Sequence, residues 1–190
     1  MPAPRAQSEV ERFERCFERN YADVARYCAR RARSPEDAED AATEVFATAW
    51  RRLGALPDAP HDRLWLFGVA RRVLANAERS GRRRSQLASR LRSEPSPAPA
   101  PPPSDDAEAP RLARALAGLS PSDRELLLLT GWEELTPAQI ARVLDRPAPL
   151  ISRRLHRARR RFAAALAVAR SDDNTTRPDA IRAGELMEPE

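Results

Sequence analysis

Residues 93–110, SEPSPAPAPPPSDDAEAP, divide the chain, because no helix or strand is expected to continue through them. Seven prolines and no bulky apolar side chain occur here, and proline both fixes its own φ angle and lacks the N–H that helices and sheets use. The stretch predicts a flexible, acidic linker that favours the extended polyproline form and reaches on the order of 55 Å. The chain is therefore expected to form two small domains, 9–92 and 111–170, followed by a disordered polar tail at 171–190.

Apolar residues recur at three- and four-residue steps in both predicted domains, which is the period of an amphipathic helix. Glycine is scarce, with 6 in 190 residues, and alanine, leucine and arginine dominate, so the composition also favours helices. The fold class is therefore predicted to be all-α. Helices are expected at 9–33 (one helix or a broken pair), 35–53, 62–91, 111–119 and 121–132, ahead of a helix pair between 136 and 166.

The stretch 136–166 has the sequence outline of a helix-turn-helix. Thr136 and Gln139 stand at the spacing of a capping box, which predicts the start of the first helix. Asp145-Arg146-Pro147 interrupts this helix, because proline disfavours helix in the residue before it. A longer second helix is expected from Leu150 or Ile151, with apolar residues on one side and arginines on the other.

The second helix of this pair has no acidic residue between Leu150 and Arg170. A charged side is usually only solvated, but a soluble helix normally carries acids that pair at i,i+4, and here like charges repel. A polyanion would neutralise such a side, so DNA is the predicted ligand. The charge distribution agrees, because residues 1–92 hold 19 Arg against 13 acids and residues 111–170 hold 12 Arg against 5 acids.

The chain lacks the residue clusters that enzymes and metal proteins need. Cys16 and Cys28 are its two cysteines, and on one straight helix they would lie about 18 Å apart, too far for a disulfide, so both are expected to be buried apolar residues. His61 and His156 are the two histidines, and no zinc cluster, phosphate loop or activated nucleophile is apparent. The sequence predicts no enzyme, no metal and no cofactor. It shows neither a signal peptide nor a membrane-spanning run, which predicts a cytoplasmic protein.

Four phrases, in this order, resemble a bacterial family, the alternative sigma factors of the extracytoplasmic-function (ECF) type. They are PEDAEDAATEVFATAWRRL at 35–53, LWLFGVARRVLANAERSGRRR at 64–84, LSPSDRELLLLTGWEELTPAQIARVL at 119–144 and ISRRLHRARRRF at 151–162. The resemblance covers about 10–92 and 111–166. It implies a promoter-specificity subunit that is not an enzyme, binds core RNA polymerase and directs it to promoter DNA.

The resemblance assigns polymerase docking to the helix at 35–53, which would bind the clamp coiled coil of the largest catalytic subunit. The matching positions are Asp37, Asp40, Glu44, Phe46 and Trp50. The acids could equally stabilise the amino end of their own helix. Core packing is the competing role for both aromatic residues, and it is favoured for Phe46.

The segment at 62–84 resembles the part of the family that reads and melts the minus-ten element, and part of the specificity is expected in the loop before or around this helix. Flipped bases need stacking surfaces, and the exposed strand needs cations. The candidates are Trp65, Arg71, Arg72, Asn76, Arg79, Arg82, Arg83 and Arg84. Trp65 also fits a core position beside Leu64 and Leu66, which its spacing favours.

The helix-turn-helix resembles the family's minus-thirty-five reader, which enters the major groove. The candidates are Ser152, Arg153, Arg154, His156, Arg157 and Arg160, and spacing does not separate base contacts from phosphate contacts. The chain departs from the family at the turn, where Asp145 replaces a usual glycine, and at Pro147 and Pro149. Because aspartate tolerates left-handed geometry, the turn is expected to persist with a shifted helix start.

Two other functions fit parts of the same pattern. A stand-alone helix-turn-helix regulator would read DNA with 111–170 and use 1–92 as a dimerisation or sensor domain. A polymerase- or RNA-associated adaptor would bind without choosing promoters. Within the sigma interpretation, an anti-sigma factor is a further possible partner, since such partners are common in the family.

Overall fold

The computed structural model describes residues 4–89 and 108–175, with side chains from 8 to 81 and from 108 to 171. These residues are all-helical, as predicted, and none of their helices is long and apolar enough to cross a membrane. They form two compact units, one built on α1 to α3 and the other on α4, α5 and α7. The helices are α1 (Pro4–Ala29), α2 (Pro35–Arg51), α3 (Asp62–Ser89), α4 (Glu108–Ala117), α5 (Pro121–Gly131), α6 (Pro137–Leu144) and α7 (Ala148–Thr175), with a 3₁₀ turn at Leu53–Ala55.

The first unit is a three-helix arrangement in which each helix packs against the other two. The rings of Tyr27 and Phe67 stack at its centre, with centroids 4.9 Å apart. Burial of each large apolar side chain stabilises such a core by about 1.5–3 kcal/mol. Fully buried side chains come from all three helices: Val24, Tyr27, Cys28, Val45, Ala49, Leu66, Phe67 and Ala70.

Both cysteines are buried and unbridged, as expected. Burial, together with the nearby Asp62 carboxylate, raises the pKa of the Cys16 thiol. Cys16 therefore stays protonated and behaves as a small core residue.

Helix α3 begins at Asp62, whose side chain is buried against α1. Arg19 Nη2 donates to its carboxylate at 2.7 Å, Asn20 Nδ2 at 3.1 Å and the Arg63 N–H at 2.9 Å. Burial alone would raise the pKa of Asp62, but these three hydrogen bonds outweigh burial and lower it below its usual value. The buried charge therefore fixes the start of α3 to α1.

Three predicted helix starts are confirmed by their caps. The Asp37 N–H donates to Ser34 Oγ at 3.1 Å, and the Asp123 N–H donates to Ser120 Oγ at 3.2 Å. The capping box at α6 is complete. Its threonine N–H donates to Gln139 Oε1 at 2.8 Å, and the Gln139 N–H donates back to Thr136 Oγ1 at 3.3 Å.

Several predicted boundaries need correction. Helix α1 is unbroken and ends at Ala29, four residues earlier than expected, because Ser34 already caps the next helix. Helix α3 continues without a break through Gly81. Helix α7 extends to Thr175, so the first residues of the predicted tail are helical.

The predicted linker, 93–110, also ended too late, because α4 begins at Glu108. An acid in the first turn suits the positive end of a helix, and Pro110 in that turn needs no N–H partner. Glu108 Oε1 further accepts from Arg170 Nη2 of α7 at 2.8 Å. The rest of the predicted linker and the tail from 176 onward lie outside the described residues.

In the second unit, α4 and α5 pack on the long α7. The leucine run of α5 supplies much of the core, since Leu126, Leu128 and Leu129 are buried. The opposing residues of α7 recur at three- and four-residue steps, as the sequence predicted. They are Ile151, Leu155 and Ala158.

Candidate nucleic-acid interface

The turn before α7 has the left-handed geometry expected at Asp145, whose φ is 53°. The N–H groups of Leu150 and Ile151 both donate to Pro147 O, at 3.0 and 3.2 Å. Helix α7 therefore starts at Ala148, before the predicted position. Proline suits this start, because the first N–H groups of a helix have no intrahelical acceptor.

The arginine side of α7 is exposed, with Arg153, Arg157 and Arg160 following one another at steps of four and three residues. Within 108–171, where side chains are described, these three form no ion pair. Ser152 and His156 are exposed beside them, and Ser152 Oγ donates to Ala148 O at 3.2 Å. An open concavity of about 700 Å³ runs along this surface and is lined by Leu150, Ser152, Arg153, His156 and Arg157. Five of the six predicted residues thus share one accessible surface.

Two other arginines of α7 differ from these three. Arg154 is half-buried. Arg161, which continues the same arginine run, donates to the buried Asp123 carboxylate of α5 at 2.6 Å. The run therefore contains one arginine that pairs within the fold and others that are exposed, a distinction that the sequence did not make.

Helix α3 also has a polar side. Arg72, Asn76 and Arg79 are exposed at steps of four and three residues, and Arg79 Nη2 donates to Asn76 Oδ1 at 2.6 Å. Trp65 lies two turns earlier on the same side and is half-buried, whereas its neighbours Leu64, Leu66 and Phe67 are buried. Trp65 thus offers part of its indole surface on the arginine side, which differs from the core position that its spacing favoured. Arg71 is exposed on an adjacent side, and Arg82, Arg83 and Arg84 lie outside the described side chains.

The five residues predicted to dock polymerase fall on two sides of α2. Asp37, Asp40 and Glu44 are exposed on one side, where Glu44 pairs with Arg51 and accepts from Thr48 Oγ1 at 3.2 Å. The two aromatic residues face α1 instead. Phe46 is buried, the role that the sequence favoured for it, and Trp50 is 47% exposed with its ring edge-on to Phe13 at 5.1 Å.

An exposed aromatic stripe on α1, which continues the Trp50 surface, was missed by the sequence reasoning. The rings of Phe13, Phe17 and Tyr21 follow one another along α1 in tilted contacts, with centroids 6.2 and 5.0 Å apart, and the Phe17 ring also contacts that of Phe46 at 4.7 Å. Phe17 is 37% and Tyr21 48% exposed. The same apolar side of α1 continues to Val24, Tyr27 and Cys28, which are fully buried, so the apolar period alone does not separate the exposed part of this side from the buried part.

A metal site is not apparent in the described part of the chain, where no three His, Cys, Asp or Glu side chains come together in a suitable arrangement. The accessible chemistry consists of arginine, amide, hydroxyl and aromatic groups. These groups bind phosphates and bases.

Comparison with known families and proteins gives one family match in each of the two units. Residues 16–84 match the model of sigma-70 region 2, and residues 110–162 match that of sigma-70 region 4. The ECF RNA polymerase sigma factor SigL of Mycobacterium tuberculosis is 30% identical over 156 residues, which span 80% of this chain and 86% of that protein. The ECF sigma factor SigK of a Mycobacterium species is 25% identical over 155 residues, spanning 79% of this chain and 80% of that protein.

Two solved structures share the fold. The sigma factor RpoE of Bartonella quintana, solved with the anti-sigma factor NepR, has a TM-score of 0.64 at 22% identity, over 82% of this chain and 97% of that one. CnrH, solved with the cytosolic domain of CnrY, has a TM-score of 0.60 at 23% identity, over 82% and 88% of the two chains. These two matches show the fold, and the sequence relatives and family models show the family. The chain belongs to the extracytoplasmic-function sigma factors, the promoter-specificity subunits of RNA polymerase.

Proposed function

We propose that this sigma factor directs core RNA polymerase to promoters with two separated elements, the first read by α3 and the second by α7. The observation that carries the proposal is the presence, in each unit, of one helix with an exposed arginine side. These sides lie in the segments that match sigma-70 regions 2 and 4. Two basic surfaces on separate units suit one duplex contacted at two places.

At the minus-ten element, the α3 side supplies the groups that strand opening requires. The exposed part of the Trp65 indole offers a stacking surface for an unpaired base. The Asn76 amide, held by Arg79, can hydrogen-bond a base edge, and Arg72 and Arg79 can neutralise phosphates. Further phosphate contacts are assigned to Arg71, Arg82, Arg83 and Arg84.

At the minus-thirty-five element, α7 acts as the recognition helix. Arg153 and Arg157, one turn apart on the exposed side, are assigned to base edges in the major groove, where a guanidinium can bind guanine bidentately. Arg160 and Ser152 are assigned to flanking phosphates, and His156 to the groove between them. Arg154 is half-buried, and we assign it only a minor contact with DNA at the edge of this surface.

Polymerase docking is assigned to the exposed acids of α2, Asp37, Asp40 and Glu44, together with Trp50. Phe46 supports Trp50 from the core through the aromatic cluster. Acids suit a basic partner surface, and an exposed indole adds apolar area to a contact. The aromatic stripe of α1 lies beside Trp50 and extends this surface.

We further infer that the protein works in the cytoplasm, where its polymerase is, and performs no catalysis of its own. An anti-sigma factor is a proposed partner, because the related RpoE was solved with one. The residues from 93 to 107 are proposed to act as an acidic linker between the two reading units.

Replacing Arg153 or Arg157 by alanine tests the recognition helix. With reconstituted holoenzyme, each variant should initiate less from promoters that depend on the upstream element. A base contact should relax the preference at one position by about 1–3 kcal/mol, whereas a phosphate contact should weaken all sequences alike. Arg15→Ala, which removes an exposed arginine in the first unit, controls for the loss of charge. Unchanged initiation by both α7 variants would remove the assignment.

A further inference from the structure

The loop between α2 and α3 is held by one side chain from α1. Arg12 Nη1 donates to Leu53 O at 3.3 Å, and Arg12 Nη2 donates to Leu56 O and pairs with Asp58 at 3.2 Å. Both carbonyls belong to the 3₁₀ turn and the residue after it, at the carboxyl end of α2, where a positive charge is favourable. One guanidinium group thus contacts two backbone carbonyls and one side chain of this loop, which its several donors in a planar fork allow.

Arg12 is the first member of a row of polar residues on α1 that hold this part of the unit. Arg19 and Asn20 bind Asp62, and Asp23 Oδ2 accepts from Arg63 Nε at 2.5 Å. The steps of seven, one and three residues keep the row on one side of α1. The row tracks the chain from the end of α2, through the loop, into the first turn of α3. The loop therefore has a set shape before any ligand arrives.

The held loop leads directly to the side of α3 that carries the arginines. The Trp65 N–H donates to His61 O at 3.2 Å, so His61 lies one helical turn before Trp65. Arg72 and Asn76 follow further along the same helix. From Asp58 to His61 the loop is exposed, and the Asp58 side chain is 88% exposed. This exposed rim, residues 58–61, continues the proposed minus-ten surface beyond the helix.

We propose that Arg12 is a positioning residue for minus-ten recognition, which sets the rim 58–61 in the one conformation that meets the promoter bases. The inference rests on the proposed function of α3. Arg12 itself does not touch DNA in this account; it removes the cost of ordering the loop when DNA binds. Loss of the Arg12 contacts leaves the loop with several conformers. This lowers discrimination among minus-ten bases more than it lowers the affinity for promoter DNA.

The test uses holoenzyme made with wild-type protein, Arg12→Ala, Arg12→Lys or the matched control Arg15→Ala, and a promoter library randomised separately at each element. Arg12→Ala should lower the base preference at the most constrained minus-ten position by about tenfold, since hydrogen bonds from a charged donor are lost. Preference at the minus-thirty-five element should stay unchanged. Lysine cannot reach three acceptors at once, so Arg12→Lys should fall between wild type and alanine. Arg15→Ala should match wild type.

A merely structural role for Arg12 would lower initiation from all library members alike and leave both preferences intact, which would overturn the inference. If Arg12→Ala folds poorly, Arg12→Met keeps most of the side-chain length without any hydrogen-bond donor, and an unchanged minus-ten preference in that variant overturns the inference equally. A wild-type holoenzyme that ignores the minus-ten sequence would instead overturn the proposed function of α3. If the wild-type holoenzyme shows a minus-ten preference and the Arg12→Ala holoenzyme retains it, the positioning role of Arg12 is contradicted while the proposed function of α3 stands.

Discussion

Arg161 of α7 donates a 2.6 Å hydrogen bond to Asp123 of α5, a residue only 5% exposed. Arg157, one turn earlier on the same helix, is exposed and unpaired in the described part of the chain. Two arginines of one run therefore have opposite tasks. One joins α5 to α7, and the other is available to DNA.

Replacing Arg161 by alanine should lower the free energy of unfolding of the C-terminal unit by about 1–2 kcal/mol. The change leaves a buried carboxylate without its charged donor, although the exposed arginine limits the loss. Thermal denaturation should show a lower Tm for this variant.

Arg157→Ala is the matched control for that experiment. It should leave the free energy of unfolding within about 0.5 kcal/mol of wild type, as exposed substitutions usually do, while it reduces use of the upstream promoter element. Equal stability of the two variants would contradict the division of tasks.

Acidification should weaken the N-terminal unit through Asp62. Its pKa is lowered in the folded protein, so its contribution is fully present above the ordinary aspartate pKa of 3.8 and is lost as the pH falls through the lower folded value. In urea denaturation, Asp62→Asn should be clearly less stable than wild type near neutral pH. The difference between the two should shrink below about pH 4, where the wild-type carboxylate begins to take up a proton. A difference that stays constant from neutral to acidic pH would contradict this linkage.

The left-handed φ of 53° at Asp145 makes a stability prediction for the turn before α7. Glycine adopts this geometry without strain, whereas alanine does not. Asp145→Gly should therefore be at least as stable as wild type, and Asp145→Ala should be about 1 kcal/mol less stable than the glycine variant. Denaturation midpoints measure both. Glu134, with a φ of 56°, offers an independent repeat of the comparison, and alanine matching glycine at both sites would be inconsistent with the geometry.

Charge reversal at Asp40 and Glu44 should weaken binding to core polymerase by about tenfold, because it places like charges against a basic partner surface. The double variant should fold normally, since both side chains are exposed. Fluorescence titration of labelled sigma factor with core polymerase measures the affinity. Glu39→Lys is the matched control, an exposed acid on another side of α2.

The aromatic side of α2 can be tested separately with Trp50→Ala. If docking uses both sides of the helix, this variant and the charge-reversal variant should each lose affinity, with unfolding changed little. Normal assembly of the charge-reversal variant would count against the acids as a docking surface.

The local signals in the sequence were sufficient for the helix starts. Ser34, Ser120 and Thr136 act over three residues, and all three caps form as the sequence indicated. The apolar period likewise predicted the buried side of α7. Such features depend on neighbours along the chain, which a sequence displays directly.

Features that depend on distant partners were not predictable in the same way. The role of Arg161 depends on Asp123, 38 residues away, and the Arg12 contacts lie 41 and 44 residues away. The exposure of Phe17 and Tyr21 was not predictable, because periodicity reports an apolar side without saying how much of it a partner helix covers. The start of α4 was missed because prolines dominate the composition just before it, although Pro110 is tolerated in a first turn.

The most direct test of the account combines purified core RNA polymerase with this protein, followed by transcription from pooled genomic DNA. The account predicts one sigma factor per polymerase and start sites that share two spaced motifs, with little promoter binding by the free protein. Failure to bind active core, together with tight sequence-specific binding by the free protein, would contradict it and favour a stand-alone helix-turn-helix regulator. Core binding without shared motifs would contradict the promoter-reading roles of α3 and α7.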